Sequence, residues 1–363
     1  MRDNGALANA IAHARAQGGR ILCVFVFDTD ILGRLPEKDD RRVSLIASSV
    51  AELHGGLARA GGGLLVLHGS AQDEIPRLVG RIGRVPVFVS ADHDPAGRDR
   101  DAHVRRKLSE TGSSLASCED HVVLGADALS TASSRPYRVF TPYFRAWTAA
   151  LERDPGAWIA ERASSRIDGL VADPGAGCPS AEGLLECIGF RVADRLVVQP
   201  GEAAAHEALA RFLCRIGDYG ADRDFPAVDG TSALSPHLRF GTISARALVR
   251  AAREAESPGA AKWISEIAWR DFYQMLLRHF PESVDHAFQE RLESVEWDDP
   301  ETDSVAKERF DAWKDGRTGY PFVDAAMREL RATGWMHNRC RMAVASFLTK
   351  DLHIHWKRGE RWF

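Results

Sequence analysis

One change of periodicity constrains the fold of this chain more than any other feature. Up to about residue 123, short β-branched or aliphatic runs (Ile21–Phe27, Leu64–His68, Val85–Val89) alternate with helix-period stretches at roughly 41–60, 70–82 and 98–110. That alternation predicts a parallel α/β sheet. From about 200 onward the pattern is helical almost throughout, in segments 202–216, 244–254, 260–279, 304–314 and 322–349, with no β-type alternation. Residues 124–195 between them are rich in Ser, Gly, Pro and Ala and lack sustained periodicity, although Phe140–Leu151 has a helical pattern. The expected organisation is an α/β domain over 1–123, a connector over 124–199 and an all-helical domain over 200–363.

A length of 363 residues suits about two domains, each able to bury a core. The balance of 47 basic to 51 acidic residues excludes a uniformly cationic nucleic-acid coat, so any basic site must be local. It is local: residues 282–311 hold eleven acids and three bases, and residues 316–363 nine bases, four acids and three histidines. Two solvated faces that partly pair, or a surface for an anionic polymer, both fit this segregation. Six cysteines without a CxxC pair argue for reduced thiols. No apolar run is long enough to cross a bilayer, and no signal-peptide core follows Met1. A cytoplasmic monomer that does not bind membranes is the expectation.

Three blocks carry the chemistry. Tyr219 to Ser244 contains Gly230, which permits a tight turn, followed by Thr231, Ser232, Ala233, Leu234 and Ser235. Hydroxyls and backbone N–H groups of such a loop suit an anion, but on this stretch alone a capped turn before a helix is the favoured reading. In the second block Glu266, Trp269, Arg270 and Tyr273 fall at i, i+3, i+4 and i+7, one helical stripe with Ile267, Met275 and Leu276 free to face the core. Packing is the ordinary role of an aromatic stripe, but Trp beside Glu and Arg also suits a planar ligand with a hydrogen-bonding edge. The third runs Gly316-Arg-Thr-Gly-Tyr-Pro through Asp324 to Trp335-Met-His-Asn338-Arg339-Cys-Arg341-Met342. On one continuous helix Trp335, Asn338, Arg341 and Met342 share a face, and a buried Asn and Arg there need partners. No metal-ligand spacing and no Gly-x-Ser-x-Gly occurs, so metal-dependent and hydrolase readings rank low.

Together these blocks resemble the photolyase/cryptochrome family, and within it the class I deoxyribodipyrimidine photolyases of bacteria. The resemblance runs from Asp3-Asn-x-Ala-Leu to Lys357-Arg-Gly-Glu-Arg-Trp-Phe. It implies an α/β antenna domain joined to a helical domain that holds FAD, and light-driven repair of cyclobutane pyrimidine dimers in DNA. By matching motif, Tyr219 and Thr231 to Ser235 look like the FAD phosphate loop. Glu266, Trp269 and Arg270 look like the stripe that meets the flavin and the flipped dimer. Asn338 resembles the side chain near the flavin N5 edge, Arg341 one beside the isoalloxazine, and Met342 a dimer contact. Arg223 and Arg339 resemble contacts to DNA. Trp356 and Trp297 resemble members of an electron relay, while Trp147, Trp158, Trp263, Trp313 and Trp362 read as packing. Asn338 with Met342 implies dimer repair rather than a cryptochrome-like blue-light sensor. An inactive fragment unable to hold FAD is the third reading.

The match departs from the family at both ends. The first predicted element is a helix, with Asp3 or Asn4 as N-cap, where the family begins with a strand, and roughly a hundred residues usually follow the match to Phe363. The resemblance therefore implies a chain shortened at both ends, with Arg341 lacking the aspartate it pairs with in the family. Ala96-Gly97 stands where folate-binding members have Asn-Glu, and Asp92-His-Asp-Pro looks closer to the deazaflavin type. A second chromophore, deazaflavin or folate, is left open.

Overall fold

The computed structural model describes residues 2–159, 167, 169–175 and 180–363. Contacts divide the chain into two units: Met1–Asp194 with Val198–Gly220 and Ser232–Pro281, and Arg195–Val197 with Ala221–Thr231 and Glu282–Phe363.

The first unit opens with helix α1 (Gly5–Gln17), capped by the Asn4 side chain, which accepts from Leu7 N at 2.7 Å. Strand β1 (Cys23–Asp28), helix α2 (Arg41–Arg59), β2 (Leu64–Gly69), α3 (Ala71–Ile82), β3 (Pro86–Ser90), α4 (Pro95–Glu110) and β4 (Ser114–Cys118) follow. Asp40 and Asp94 cap α2 and α4, as their positions before a helical period require. The strands pair in parallel as β1–β2, with Cys23 opposite Leu64, and β3–β4, with Pro86 opposite Ser114. Three expected strands are thus found within a residue or two, and the sheet is resolved into two pairs instead of one continuous layer. β4 escaped the sequence pattern because Ser-Leu-Ala-Ser-Cys carries no run of β-branched or aliphatic residues.

The rest of this unit comprises α5 (Phe140–Arg153), α6 (Ala181–Cys187), α7 (Gly201–Leu213), α8 (Ser235–Phe240), α9 (Ala245–Glu254) and α10 (Pro258–His279). The stretch read as a connector therefore contains two of these helices. It also returns to the sheet, where Val171 bridges Ile21. Trp147, Tyr143, Phe212, Leu248 and Met275 are all but fully buried in the helical core. α10 comes close to its neighbour at Gly259, where a Cβ would lie 2.0 Å from the Ile216 carbonyl oxygen. A buried charge cluster ties the chain start to α9: Arg246 donates to the Asp3 carbonyl at 2.8 Å and lies 3.3 Å from the carboxylates of Asp3 and Asp120. Asp3 is thus an ion partner, and Asn4 alone is the helix cap.

The second unit contains α11 (Ser304–Lys314), α12 (Pro321–Thr333), α13 (Asn338–Lys350) and α14 (Trp356–Trp362). Trp313, Met327, Val344 and Leu348 centre its core. The helix expected over 322–349 is broken: Gly334 takes a left-handed conformation (φ 72) that closes α12, and α13 starts afresh at Asn338. The acidic and basic segments meet inside this unit, with Lys357 3.5 Å from Asp285 and Arg358 2.9 Å from Asp299. Pairing thus accounts for part of the charge segregation. Among the described residues no helix is long and apolar enough to cross a membrane, and Cys23, Cys118, Cys187, Cys214 and Cys340 are free thiols. Cys178 lies outside the described residues.

Candidate flavin and DNA site

In the first unit α10 presents the stripe expected of it. Ile267 and Met275 are buried and Leu276 packs against the same core, while Glu266, Trp269 and Arg270 are half-buried and Tyr273 is exposed. Trp269 has two stacked ring neighbours: Phe140 lies face to face with it at 3.6 Å with an 8° interplanar angle, and Tyr273 lies at 5.6 Å with a 26° angle. Glu266 pairs with Lys262 at 3.4 Å, one turn away. Arg270 donates to the backbone carbonyls of His121 and Leu238, so two of its N–H groups fix chain segments. Phe140 was not found by sequence reasoning, although it opens the helical stretch singled out there.

Beside this stripe, Asp271 is fully buried and accepts from Val123 N, Leu124 N and the Trp147 indole at 3.0–3.2 Å and 2.9 Å. Burial pushes its carboxyl up to about 6, against the pull of the backbone and indole donors. Nothing in the helical spacing marked this residue, because a lone Asp on an apolar face gives no pattern.

Tyr219 packs in the helical core, its ring edge-on to Phe212 at 5.6 Å. Ala233 takes a left-handed φ of 51, Ser232 Oγ accepts from Leu234 N at 3.5 Å, and Leu234 is buried while the Ser235 side chain is exposed. In the second unit Gly230, before the half-buried Thr231, sits so tightly that a Cβ would lie 2.5 Å from that of Asp222. The loop is therefore a fixed turn carrying hydroxyls, a donor set whose chemistry suits phosphate oxygens.

The second unit carries the remaining residues. His337 caps α13, and the Asn338 side chain is exposed on its first turn, with Nδ2 3.8 Å from Met342 Sδ. Met342 is 55% exposed and Arg341 half-buried. The expected buried face is corrected accordingly: Trp335 lies before the helix, and Asn338 faces outward. Arg341 also has partners, since Nε donates to the Met336 carbonyl at 3.3 Å and the guanidinium lies 5.3 Å from the Phe363 ring centre. Arg339 pairs with Asp224 at 2.6 Å, and Arg223 Nε lies 3.4 Å from the same carboxylate. Hydrogen bonding to Arg339 holds the Asp224 carboxyl below the usual range.

Trp297 and Trp356 are half-buried and both contact His355, at 5.5 Å edge-on and 5.4 Å stacked. Among the tryptophans read as packing, Trp147, Trp263 and Trp313 are buried, but Trp362 is 45% exposed. Asp324 explains the Arg-Thr-Gly-Tyr-Pro motif: it accepts from Thr318 N, Thr318 Oγ1 and Gly319 N at 2.6–3.0 Å. Burial would raise its pKa, but these bonds outweigh burial and hold the carboxyl low.

The first unit thus joins an α/β portion to helices that carry a stacked indole, and the second carries an exposed Asn–Met pair on α13. Residues 1–160 match the family described as DNA photolyase, and residues 263–363 the FAD binding domain of DNA photolyase. The chain is 38% identical to a deoxyribodipyrimidine photo-lyase of Synechococcus, over 97% of this chain and 73% of that protein. It is 36% identical to the one from Halobacterium salinarum, over 99% and 75%. A solved class III photolyase from Agrobacterium tumefaciens superposes with a TM-score of 0.83 at 33% identity, covering 100% of this chain and 73% of that one. The chain belongs to the photolyase/cryptochrome family.

Proposed function

We propose that this chain is a DNA photolyase of the cyclobutane-dimer type, a carbon–carbon lyase using FAD and blue light. The start of α13 carries the reading: Asn338 and, one turn on, Met342 are exposed side by side there, in a chain related to deoxyribodipyrimidine photo-lyases along almost its whole length. The three sequence blocks together support class I, while one solved relative is described as a class III photolyase.

When bound in reduced form, FAD supplies the light-driven electron that opens the cyclobutane ring and recovers it afterwards. The chain's residues supply geometry and electrostatics around it. The hydroxyls of Thr231, Ser232 and Ser235 would hold its phosphates, and Asn338 and Arg341 would hold the ring edge. Trp269, which Phe140 holds flat on one side, would offer its indole to the extruded pyrimidine dimer, with Glu266 and Met342 as further dimer contacts. Extruding a damaged dinucleotide costs less than flipping a sound pair, which gives selectivity. Arg223 and Arg339 would exchange Asp224 for DNA phosphate, so Asp224 competes with the DNA for both. Trp356 and Trp297, joined through the His355 ring, serve as relay positions.

The test is blue-light repair of dimer-containing oligonucleotides by the purified full chain with bound flavin measured by absorbance. Repair that falls by roughly five- to a hundredfold in Trp269→Ala, together with weaker binding to dimer DNA, is expected, since stacking on an aromatic contributes about 1–3 kcal/mol per base. A chain that takes up no FAD and repairs no dimer overturns the proposal.

A further inference from the structure

Two helices of the second unit start in the same unusual way. His337 enters α13 with its Nδ1 accepting from Arg339 N at 3.1 Å, and His355 enters α14 with its Nδ1 accepting from Lys357 N at 3.1 Å. Helices are ordinarily capped by Ser, Thr, Asp or Asn. Where the side chain of another residue caps a helix among the described residues it follows that habit, as at Asn4, Asp40, Asp94, Ser244, Ser257 and Asp303, while the helices entered at Val139, Pro200 and Tyr320 have no side-chain cap. Directly after each histidine stands a residue with a proposed role, Asn338 in one case and Trp356 in the other.

We propose that His337 and His355 are positioning residues that act only as neutral imidazoles, and that proton uptake releases the first turns of α13 and α14, displacing Asn338 and Trp356. An imidazole nitrogen accepts a hydrogen bond only while it lacks a proton, whereas imidazolium is a donor at both nitrogens. Protonation would therefore turn each cap into two N–H groups facing each other.

The surroundings oppose that protonation. His337 is 2% exposed, and its buried Nε2 makes no hydrogen bond; the Arg223 backbone faces the ring without closing one of ordinary geometry. The charged groups that face it are Arg339 on its own helix and Arg223 and Asp224 on segment 221–231. The two arginine charges repel a proton, while the Arg223 backbone and the Asp224 carboxylate, itself engaged by Arg339, pull the other way. His355 is faced by Lys357 and Arg358 from α14 and by Glu293, and it shares a cavity wall with Asp298, Asp299 and Arg361. Burial is the leading cause that holds both rings below the ordinary histidine value; the neighbouring cations add to it, and Asp224 at His337 and Glu293 at His355 act against it.

The choice of histidine also has an electrostatic consequence. An aspartate cap would place a permanent negative charge at two helix starts that are followed by Arg339 and Arg341, and by Lys357 and Arg358. A neutral cap satisfies the same N–H and leaves the positive field of those helix starts in place. Asn338 stands in that field, which would favour an anionic partner such as DNA.

The consequence for site residues rests on the roles proposed above for Asn338 and Trp356, while the capping chemistry does not. The experiment is thermal and urea unfolding of the full chain from pH 8 to pH 5, comparing wild type with His337→Asn, His355→Asn and the double variant. Asparagine caps, as Asn4 does here, but does not titrate. Because both folded pKa values are depressed, stability is complete above the unfolded value of 6.5 and is lost as pH falls below it. Each histidine then costs up to about tenfold in the folding equilibrium constant per pH unit, and the double variant should lose this slope while matching wild type at pH 8. Equal slopes in wild type and double variant overturn the proposal. Should an Asn variant fail to fold, 15N-histidine spectra of wild type decide: the expected neutral tautomer carries its proton on Nε2 at both positions, and a protonated Nδ1 overturns the proposal. Dimer-DNA affinity over the same pH range separates the two layers. If the unfolding slope changes and the pH dependence of affinity does not, the caps stand and the role of Asn338 falls.

Discussion

The Trp147 indole donates to Asp271 Oδ2 at 2.9 Å in the core of the first unit, and the same oxygen accepts from Leu124 N at 3.0 Å and Val123 N at 3.1 Å. One carboxylate thus terminates three buried donors from two chain segments far from α10 in sequence. Asp271→Ala removes the acceptor and leaves the donors buried, at about 1–3 kcal/mol for each unsatisfied group. A loss on the order of 3 kcal/mol in urea unfolding is expected, and a loss below 1 kcal/mol would show that water or a shifted carbonyl replaces the carboxylate.

Asp271 also gives the first unit a pH dependence opposite to that of the histidine caps. Burial raises its folded pKa from 3.8 to about 6, so the folded protein binds a proton that the unfolded chain releases. The contribution is complete below 3.8 and is lost as pH rises through 6. Asp271→Asn does not titrate. Its stability relative to wild type should therefore improve as pH rises from 4 to 7, measured as the difference in Tm across that series.

The strands around Val24, Val66 and Val87 were legible because β-branched runs fit a buried parallel ladder and little else. The stripe of α10 was legible for a similar reason, since Ile267 and Met275 recur on the face that the core requires. A helical wheel cannot supply the break at Gly334, where apolar residues continue through 322–349 although the backbone turns left-handed. That break moved Trp335 off the face assigned to it and turned Asn338 outward. Phe140 and Asp271 lie beyond any local pattern, because their partners are more than a hundred residues away in sequence. The histidine caps went unread because histidine carries no capping preference to read.

Arg246 is 1% exposed and lies against Asp3 and Asp120, with further bonds to the carbonyls of Asp3 and Glu119 at 2.8 and 3.1 Å. Arg246→Met fits a similar volume but leaves two buried carboxylates without this partner. Removing one member of such a group costs about 3–5 kcal/mol. Urea unfolding should report that loss, and Asp3→Asn in the Arg246→Met background should restore part of it, because it halves the buried negative charge while Arg250, 3.0 Å from the Asp3 carboxylate, remains.

Phe140 and Trp269 provide the last test, because their stack belongs both to the core and to the proposed lesion platform. The rings are 3.6 Å apart and within 8° of parallel, and each is half-buried. Aromatic pairs contribute about 0.5–1.5 kcal/mol beyond the area they bury. A double-mutant cycle of Phe140→Leu and Trp269→Leu should return a coupling energy in that range, since the two residues touch and distant sites would be additive. If Trp269 is held flat for a base by Phe140, then Phe140→Leu should also weaken binding to dimer DNA while binding to undamaged duplex is unchanged. Equal weakening toward both DNAs would assign Phe140 to packing alone.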